Sequence, residues 1–192
     1  MGREFEYKFR ASVRQMDAIR ADFEGFREIA MVSTYYDTQD QSLFSRHWTL
    51  RKREENGVSV CALKTPSADG SRCEWEVECS DIASAIDELI RSGAPEALKD
   101  LASGGLEKVC SARFTRLAAL IEQDGCTVEL ALDRGILLGG ARMQLLCEVE
   151  VELKSGTDEA AIAFARSLAT KYGLVPERAS KYIRALDLTG RI

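Results

Sequence analysis

A chain of 192 residues, 45% hydrophobic and 30% charged with only three prolines, has the make-up of one folded domain or at most two small ones, which weighs against disorder. Its formal net charge of −5 argues against a non-specific nucleic-acid binder, which needs a broad basic face, yet leaves room for a local basic patch. No apolar run approaches a membrane span, and the first residues go straight into a charged strand with no leader pattern, so the expected location is the cytoplasm.

Residues 2–10 alternate Glu4, Glu6 and Lys8 with Phe5, Tyr7 and Phe9, a period of two that predicts a strand with one charged and one apolar face. Ser12 is placed to cap a helix carrying Val13, Met16, Ile19 and Phe23. Phe26–Thr38 reads as a strand ending near Asp37, and residues 39–45 as a turn or short helical piece. Residues 47–53 and 58–65 form the clearest hairpin, joined through Asn56-Gly57. Its strands offer Arg51, Arg53 and Lys64, although the pattern leaves open whether all three point the same way.

After a polar turn at Pro66–Ser71, Arg72, Glu74, Glu76 and Glu78 alternate with Cys73, Trp75, Val77 and Cys79. Asp81 caps a helix to about Ser92, ended by Gly93, and a second short helix covers about 95–102. Leu106–Glu122 is a long strand carrying Lys108, Arg113 and Arg116, with Arg113 off the parity of the other two. Asp124-Gly125 turns the chain into Cys126–Asp133, and Arg134-Gly135 and Gly139-Gly140 bracket a further short strand. Residues 142–154 repeat the opening pattern, with Glu148, Glu150 and Glu152 on one face and Val149, Val151 and Leu153 on the other. Thr157 caps a helix to about Tyr172, closed by Gly173, and Ser180–Leu188 reads as a final helical turn or two.

Glutamate is disfavoured in strands and like charges side by side cost energy, so two Glu-lined strands point to something positive, a divalent cation being the natural candidate. Strand after strand alternates Glu, Arg or Lys with apolar residues, and the amphipathic helices need apolar partners. Helices covering the apolar faces would leave the charged faces around a polar channel. The pattern is compatible with a closed tunnel of about eight mostly antiparallel strands, but on its own it favours an open sheet with one solvated face.

The six cysteines contain no C-x-x-C pair and sit among apolar neighbours, as free thiols acting as small hydrophobes would. The one histidine, His47, starts a strand beside Trp48 and reads as a strand-end residue. Trp48, Trp75, Tyr35 and Tyr36 read as packing residues.

Several ordered stretches carry a family resemblance. Glu4-Phe5-Glu6-Tyr7-Lys8 resembles the ExExK signature of the CYTH superfamily, the triphosphate tunnel metalloenzymes. Tyr35-Tyr36-Asp37-Thr38, Leu50-Arg51-Lys52-Arg53, Leu63-Lys64-Thr65, Arg72 to Glu76, Phe114-Thr115-Arg116, Glu129 to Gly135, Cys147 to Gly156 and Ser180-Lys181-Tyr182 follow in family order. The run from Phe114 to Gly156 looks most like the bacterial inorganic triphosphatase branch. Many proteins of that branch carry a helical CHAD domain after the tunnel domain; this sequence ends at Ile192 without one, and is expected to be either a stand-alone form or a sequence cut to its catalytic domain.

The resemblance implies an α+β fold: one domain over residues 1–192, an eight-stranded antiparallel β-barrel tunnel with a polar interior, and helices packed outside. It implies hydrolysis of inorganic triphosphate to pyrophosphate and phosphate with Mg²⁺ or Mn²⁺. The alternatives are a thiamine or nucleoside triphosphatase, a class IV adenylyl cyclase, or a non-catalytic polyphosphate- or nucleotide-binding module. The two glutamate pairs favour metal catalysis over the last.

On this reading Glu4, Glu6, Glu148 and Glu150 hold metal, and Glu4 and Glu6 with Lys8 and Lys181 are catalytic. Lys8, Arg51, Arg53, Lys64, Arg72, Arg116 and Lys181 bind the phosphates, with Arg142 a further candidate for the wall. Glu74, Glu76, Glu129, Asp133 and Glu152 support them as charge partners or outer metal contacts. The expected partner is a triphosphate anion and neither a membrane nor a nucleic acid, with the protein a monomer or homodimer.

Overall fold

A computed structural model describes residues 2–67, 72–123 and 125–192, the side chains of residues 2–4 aside. Residues 68–71 of the expected polar turn and Asp124 of the expected Asp-Gly turn lie outside the described residues.

In chain order the elements are β1 (Gly2–Glu4), β2 (Glu6–Arg10), α1 (Val13–Asp22), β3 (Arg27–Asp37), β4 (Thr49–Glu55), β5 (Val58–Pro66) and β6 (Arg72–Glu78). Then come α2 (Ile82–Arg91), α3 (Ala97–Ala102), β7 (Glu107–Gln123), β8 (Cys126–Gly139), β9 (Arg142–Gly156), α4 (Asp158–Tyr172), β10 (Val175–Pro176) and α5 (Lys181–Asp187). The fold is α+β. One antiparallel sheet runs β1-β6-β5-β4-β3-β7-β8-β9-β2-β10.

Three expectations change. The opening strand is divided at Phe5: Gly2–Glu4 pairs with β6, whereas Glu6–Arg10 pairs with β9. That division and the two-residue β10 raise the count from eight strands to ten segments. Of the two expected strand breaks, Gly139-Gly140 lies at the turn between β8 and β9, whereas β8 runs unbroken through Gly135. A Cβ there would sit 2.1 Å from the Arg113 carbonyl oxygen, so this glycine serves a close backbone approach and not a turn.

The period-2 pattern sorts cleanly onto two faces. Outward residues of β2, β8 and β9, among them Phe9, Leu130 and Val149, pack with Met16 and Ile19 of α1 and Phe164 and Leu168 of α4. Cys61, Leu63 and Trp75 on β5 and β6 pack with Leu89 of α2 and Leu98 of α3. Burying a Leu of this kind contributes about 1.5–3 kcal/mol, so these clusters fix which sheet face turns away from the helices.

Local chemistry sets the helix ends. Ser12 and Gln15 form a reciprocal capping box at α1. The Gln15 Nε2 also donates to the carbonyls of Tyr172 and Gly173, at 2.8 and 2.9 Å, tying α1 to the end of α4. Gly173 takes the left-handed conformation that ends α4, with φ 66°. Asn56 and Gly57 have φ 49° and 90°, as the hairpin turn between β4 and β5 requires. Buried Asp37 ends β3 by accepting bonds from the backbone N–H groups of Thr38, Leu43 and Phe44, which organises the segment leading to β4.

The third changed expectation concerns α5, which does not pack outside. Its Tyr182, Ala185 and Leu186 meet Tyr35, Phe114, Leu137 and Leu146 on the face that elsewhere carries the charges. Those sheet positions are apolar at this end, so the helix can seal it. Arg142 is exposed and donates to the Leu188 carbonyl beside α5 and therefore lies off the charged wall.

Candidate active site

The charged face surrounds a cavity of about 310 Å³ lined from β2 through β9 and from α5. Parity determines what enters it. Thr49, Arg51, Arg53 and Glu55 of β4, Lys64 of β5 and Arg72, Glu74 and Glu76 of β6 make one wall. Glu6 and Lys8 of β2, Arg116 of β7, Glu129 of β8, Glu150 and Glu152 of β9 and Lys181 of α5 make the other.

The first wall is mainly basic. Arg51 Nη2 lies 3.0 Å from Glu74 and 3.4 Å from Glu76, and Arg53 Nη2 3.3 Å from Glu76. Arg53 also pairs with Glu55. Lys64 stands 3.4 Å from Glu74. Burial, reinforced by Arg51, lowers the Arg53 value from its ordinary one. Arg72 donates from Nη2 to the His47 carbonyl at 3.3 Å and to Thr49 Oγ1 at 3.2 Å. Its buried Nε has no hydrogen-bond partner among the described residues. His47, at the end of a short 3₁₀ turn, thus contributes its backbone and not its imidazole.

The opposite wall holds a buried acidic cluster. Asp133, Glu148 and Glu150 each present an oxygen within 4.8 Å of the others. Register explains the grouping, since Asp133 faces Glu148 across β8 and β9 and Glu150 is the next inward residue of β9. Arg116 clamps Asp133 with two bonds of 2.8 and 2.7 Å and also reaches Glu150. Lys181 touches all three carboxylates, at 2.8 Å from Asp133 and 2.6 Å from Glu150. Arg184 completes the set at 2.7 Å from Glu148.

Electrostatics follow from this geometry. Burial pushes Glu148 up to about 7, with Lys181 pulling the other way and Glu150 adding to the rise. Burial would raise Glu150 too, but Lys181 and Arg116 together hold it well below the usual carboxylate range. Burial would lower Lys181, and the carboxylates of Asp133, Glu150 and Glu148 instead hold it well above its ordinary value. Lys8 is likewise raised: Glu6, 3.0 Å away, outweighs the effect of burial.

Apart from Arg142, the expected site residues with described side chains are therefore on or directly behind one cavity. Glu4 is placed by its backbone opposite Arg72, and its side chain lies outside the described residues. Glu6 lines the cavity but is not one of the three clustered carboxylates, because β2 sets it opposite Glu152 and sets Lys8 opposite Glu150. Asp133, expected only in support, is in the cluster. Arg184 and Glu177 were not anticipated. Glu177 is buried and joins Arg10, at 2.8 Å, to Arg184, at 3.8 Å. The signal for Arg184 was its spacing of three residues after Lys181, which puts both on one helical face.

With the cavity in place, the family can be stated. Residues 2–186 match the CYTH domain. The chain belongs to the CYTH family. Over 153 residues this CYTH chain is 29% identical to the inorganic triphosphatase of Haemophilus influenzae, covering 78% of itself but 43% of that protein. It thus spans less than half the length of that curated relative. Among solved structures, PH1819 of Pyrococcus horikoshii matches with a TM-score of 0.64 at 23% identity, over 96% of the CYTH chain and 98% of its own. HpAC1 of Hippeastrum, described as having a dominant triphosphatase activity, matches with a TM-score of 0.62 at 18% identity, over 98% and 97%. These structures share the fold. The helices of the CYTH chain include none long and apolar enough to cross a membrane, among the described residues.

Proposed function

We propose that residues 1–192 act as one domain that hydrolyses inorganic triphosphate to pyrophosphate and phosphate with Mg²⁺ or Mn²⁺. The observation that carries this reading is a single cavity in which a basic wall faces Glu150, one of three buried carboxylates gathered with Arg116, Lys181 and Arg184. A closed tunnel follows on the same reading, because β1 and β2 belong to one run of chain and pair with opposite ends of the remaining sheet.

The donor set suits a hard divalent cation: three carboxylate oxygens, all within 4.8 Å of one another. Asp133, Glu148 and Glu150 would hold it. When bound, such an ion neutralises charge on phosphoryl oxygens.

The chain's own side chains do the rest. Arg51, Arg53, Lys64 and Arg72 grip the phosphates, the arginines through forked donors and Lys64 as a mobile point charge. The buried Arg72 Nε–H offers a donor for an anionic oxygen. Arg116, Lys181 and Lys8 face the terminal phosphoryl group, where they stabilise charge on the equatorial and leaving oxygens. Glu6, joined by Glu4, orients the attacking water and accepts its proton at a carboxylate oxygen. The water oxygen bonds to the terminal phosphorus, the bond to the bridging oxygen breaks, and pyrophosphate leaves with that oxygen.

An inorganic substrate fits better than an organic one. The aromatic rings lining the cavity, Tyr35, Phe114 and Tyr182, are each buried and offer no open platform for a base or thiazolium ring. The test is a phosphate-release panel of inorganic triphosphate, thiamine triphosphate, ATP and longer polyphosphate with Mg²⁺ or Mn²⁺, with cyclic AMP followed in parallel. Inorganic triphosphate should be the fastest substrate, and chelation should stop its turnover. Binding without turnover under every condition would overturn the enzymatic reading. Glu6→Gln should lower kcat far more than triphosphate affinity, and an unchanged kcat at saturating Mg²⁺ would remove Glu6 from the mechanism.

A further inference from the structure

We propose that Phe114 is a positioning residue, whose ring is the shared floor that sets Lys181 and Arg116 toward the substrate. The inference rests on the reading of the cavity as a triphosphate site. The Lys181 Nζ lies 5.4 Å from the ring centroid and the Arg116 guanidinium carbon 5.9 Å, both within the reach of a cation–π contact. Phe114 is buried, yet it lines a cavity whose wall is otherwise mostly charged.

An apolar ring is a specific solution to a problem at this spot. Lys181 and Arg116 share Asp133 and Glu150 as partners, so two like charges are held side by side. A further carboxylate beneath them would offset their repulsion but compete with phosphate for their N–H donors. The negative face of a benzene ring draws both cations while accepting no conventional hydrogen bond from them, so it adds no competitor to the three carboxylates around Lys181 and leaves the Arg116 Nη1, 3.7 Å from Glu129, as a donor for a phosphoryl oxygen. The ring also links two elements. Phe114 belongs to β7 and packs in the cluster that contains Tyr182 and Leu186 of α5, so it fixes the helix that delivers Lys181.

A residue that only filled space would depend on volume, and a cation–π floor depends on ring electrons. The experiment places 4-fluoro-, 3,5-difluoro- and 3,4,5-trifluorophenylalanine at position 114 of the full chain, alongside Phe114→Leu. Successive fluorines drain the negative face with little change in size. Steady-state turnover of inorganic triphosphate with Mg²⁺ should fall stepwise, by roughly tenfold in kcat/KM across the series, while Tm stays level. A flat series would overturn the proposal, as would a fall that tracks a falling Tm.

A second readout needs no substrate. In the unliganded wild-type protein the Lys181 side-chain methylene protons should be shifted upfield by the ring current, and in Phe114→Leu they should return to ordinary values. Ordinary values in the wild type would overturn the proposal even if the protein hydrolyses triphosphate. Failure of the wild type to bind or cleave any triphosphate would instead overturn the proposed function, with the methylene shifts still deciding the role of Phe114.

Discussion

Lys181→Met isolates the charge balance of the acidic cluster. Methionine keeps an unbranched apolar stem over Phe114 and removes the ammonium that touches Asp133, Glu148 and Glu150. All four groups are buried or nearly so, so solvent cannot replace the lost partner. Breaking a buried ion pair from one side costs about 3–5 kcal/mol, and Arg116 and Arg184 remain to soften the loss toward the lower figure. At that figure, Tm should fall by about 6–12 °C for a chain of this length.

The sign of the pH dependence follows from Glu148. Burial already lifts it from 4.5 to about 7, and Lys181 is the largest influence pulling it back, so its removal lifts Glu148 further. A carboxyl raised in the folded state stabilises fully below its unfolded value, and that contribution is lost as pH rises through the folded value. The Tm deficit of the variant should accordingly be smaller at pH 5, where the loss of the Glu150 pairing remains, than at pH 8.5. Millimolar Mg²⁺ should raise Tm more in the variant than in the wild type, because the three carboxylates no longer share an internal cation. Thermal melts of both proteins at the two pH values, with and without Mg²⁺, check all three points. An equal deficit at pH 5 and pH 8.5, or no deficit at either, would refute the reasoning.

Arg72→Ala should weaken triphosphate binding about tenfold or more by isothermal titration, since it removes a charged phosphate donor whose Nε is otherwise unused; unchanged affinity would take Arg72 off the basic wall. Gly135→Ala should lower Tm sharply despite being a one-carbon change, because the new Cβ meets the backbone of Arg113 and Phe114 and no flexible side chain can yield. Burial pushes the thiols of Cys61 and Cys110 up to about 12, so at pH 8 iodoacetamide followed by mass mapping should label both more slowly in the native protein than in the denatured one.

Much of this architecture can be read from alternation alone. Glu148, Glu150 and Glu152 must share a face, and Val149 and Val151 must take the other, whatever the strand's neighbours. The same reasoning put Arg51 and Arg53 on one face and Arg113 opposite Arg116, but left open whether Lys64 pointed the same way as the two arginines. Neighbourhood is not local information. Glu6 and Asp133 have equally inward parity, and only the pairing of β9 with β2 and β8 puts Asp133 beside Glu148 and Glu6 beside Glu152. Glycine was misread at position 135 for a similar reason, because the atoms that exclude a Cβ belong to a strand some twenty residues earlier. The seat of α5 depended on the apolar residues Phe114, Leu137 and Leu146 falling on the same parity as the charges, which an expectation of a uniformly polar interior passed over.

The divided opening strand has a consequence for how the molecule is made. Gly2–Arg10 is synthesised before its partners, which lie at residues 72–78, 142–156 and 175–176. Its alternating Phe5, Tyr7 and Phe9 must stay unpaired while most of the chain emerges, and contacts so distant in sequence form slowly. Until then β6 and β9 each keep an open edge, the exposure that invites pairing with other chains. Glu6 and Lys8, which later face the cavity, also serve this waiting period, because a charged strand resists adding to a neighbour's sheet. On the proposed closed-tunnel reading, a bulky fusion ahead of Gly2 would burden the pairing of this short strand with β6 and β9.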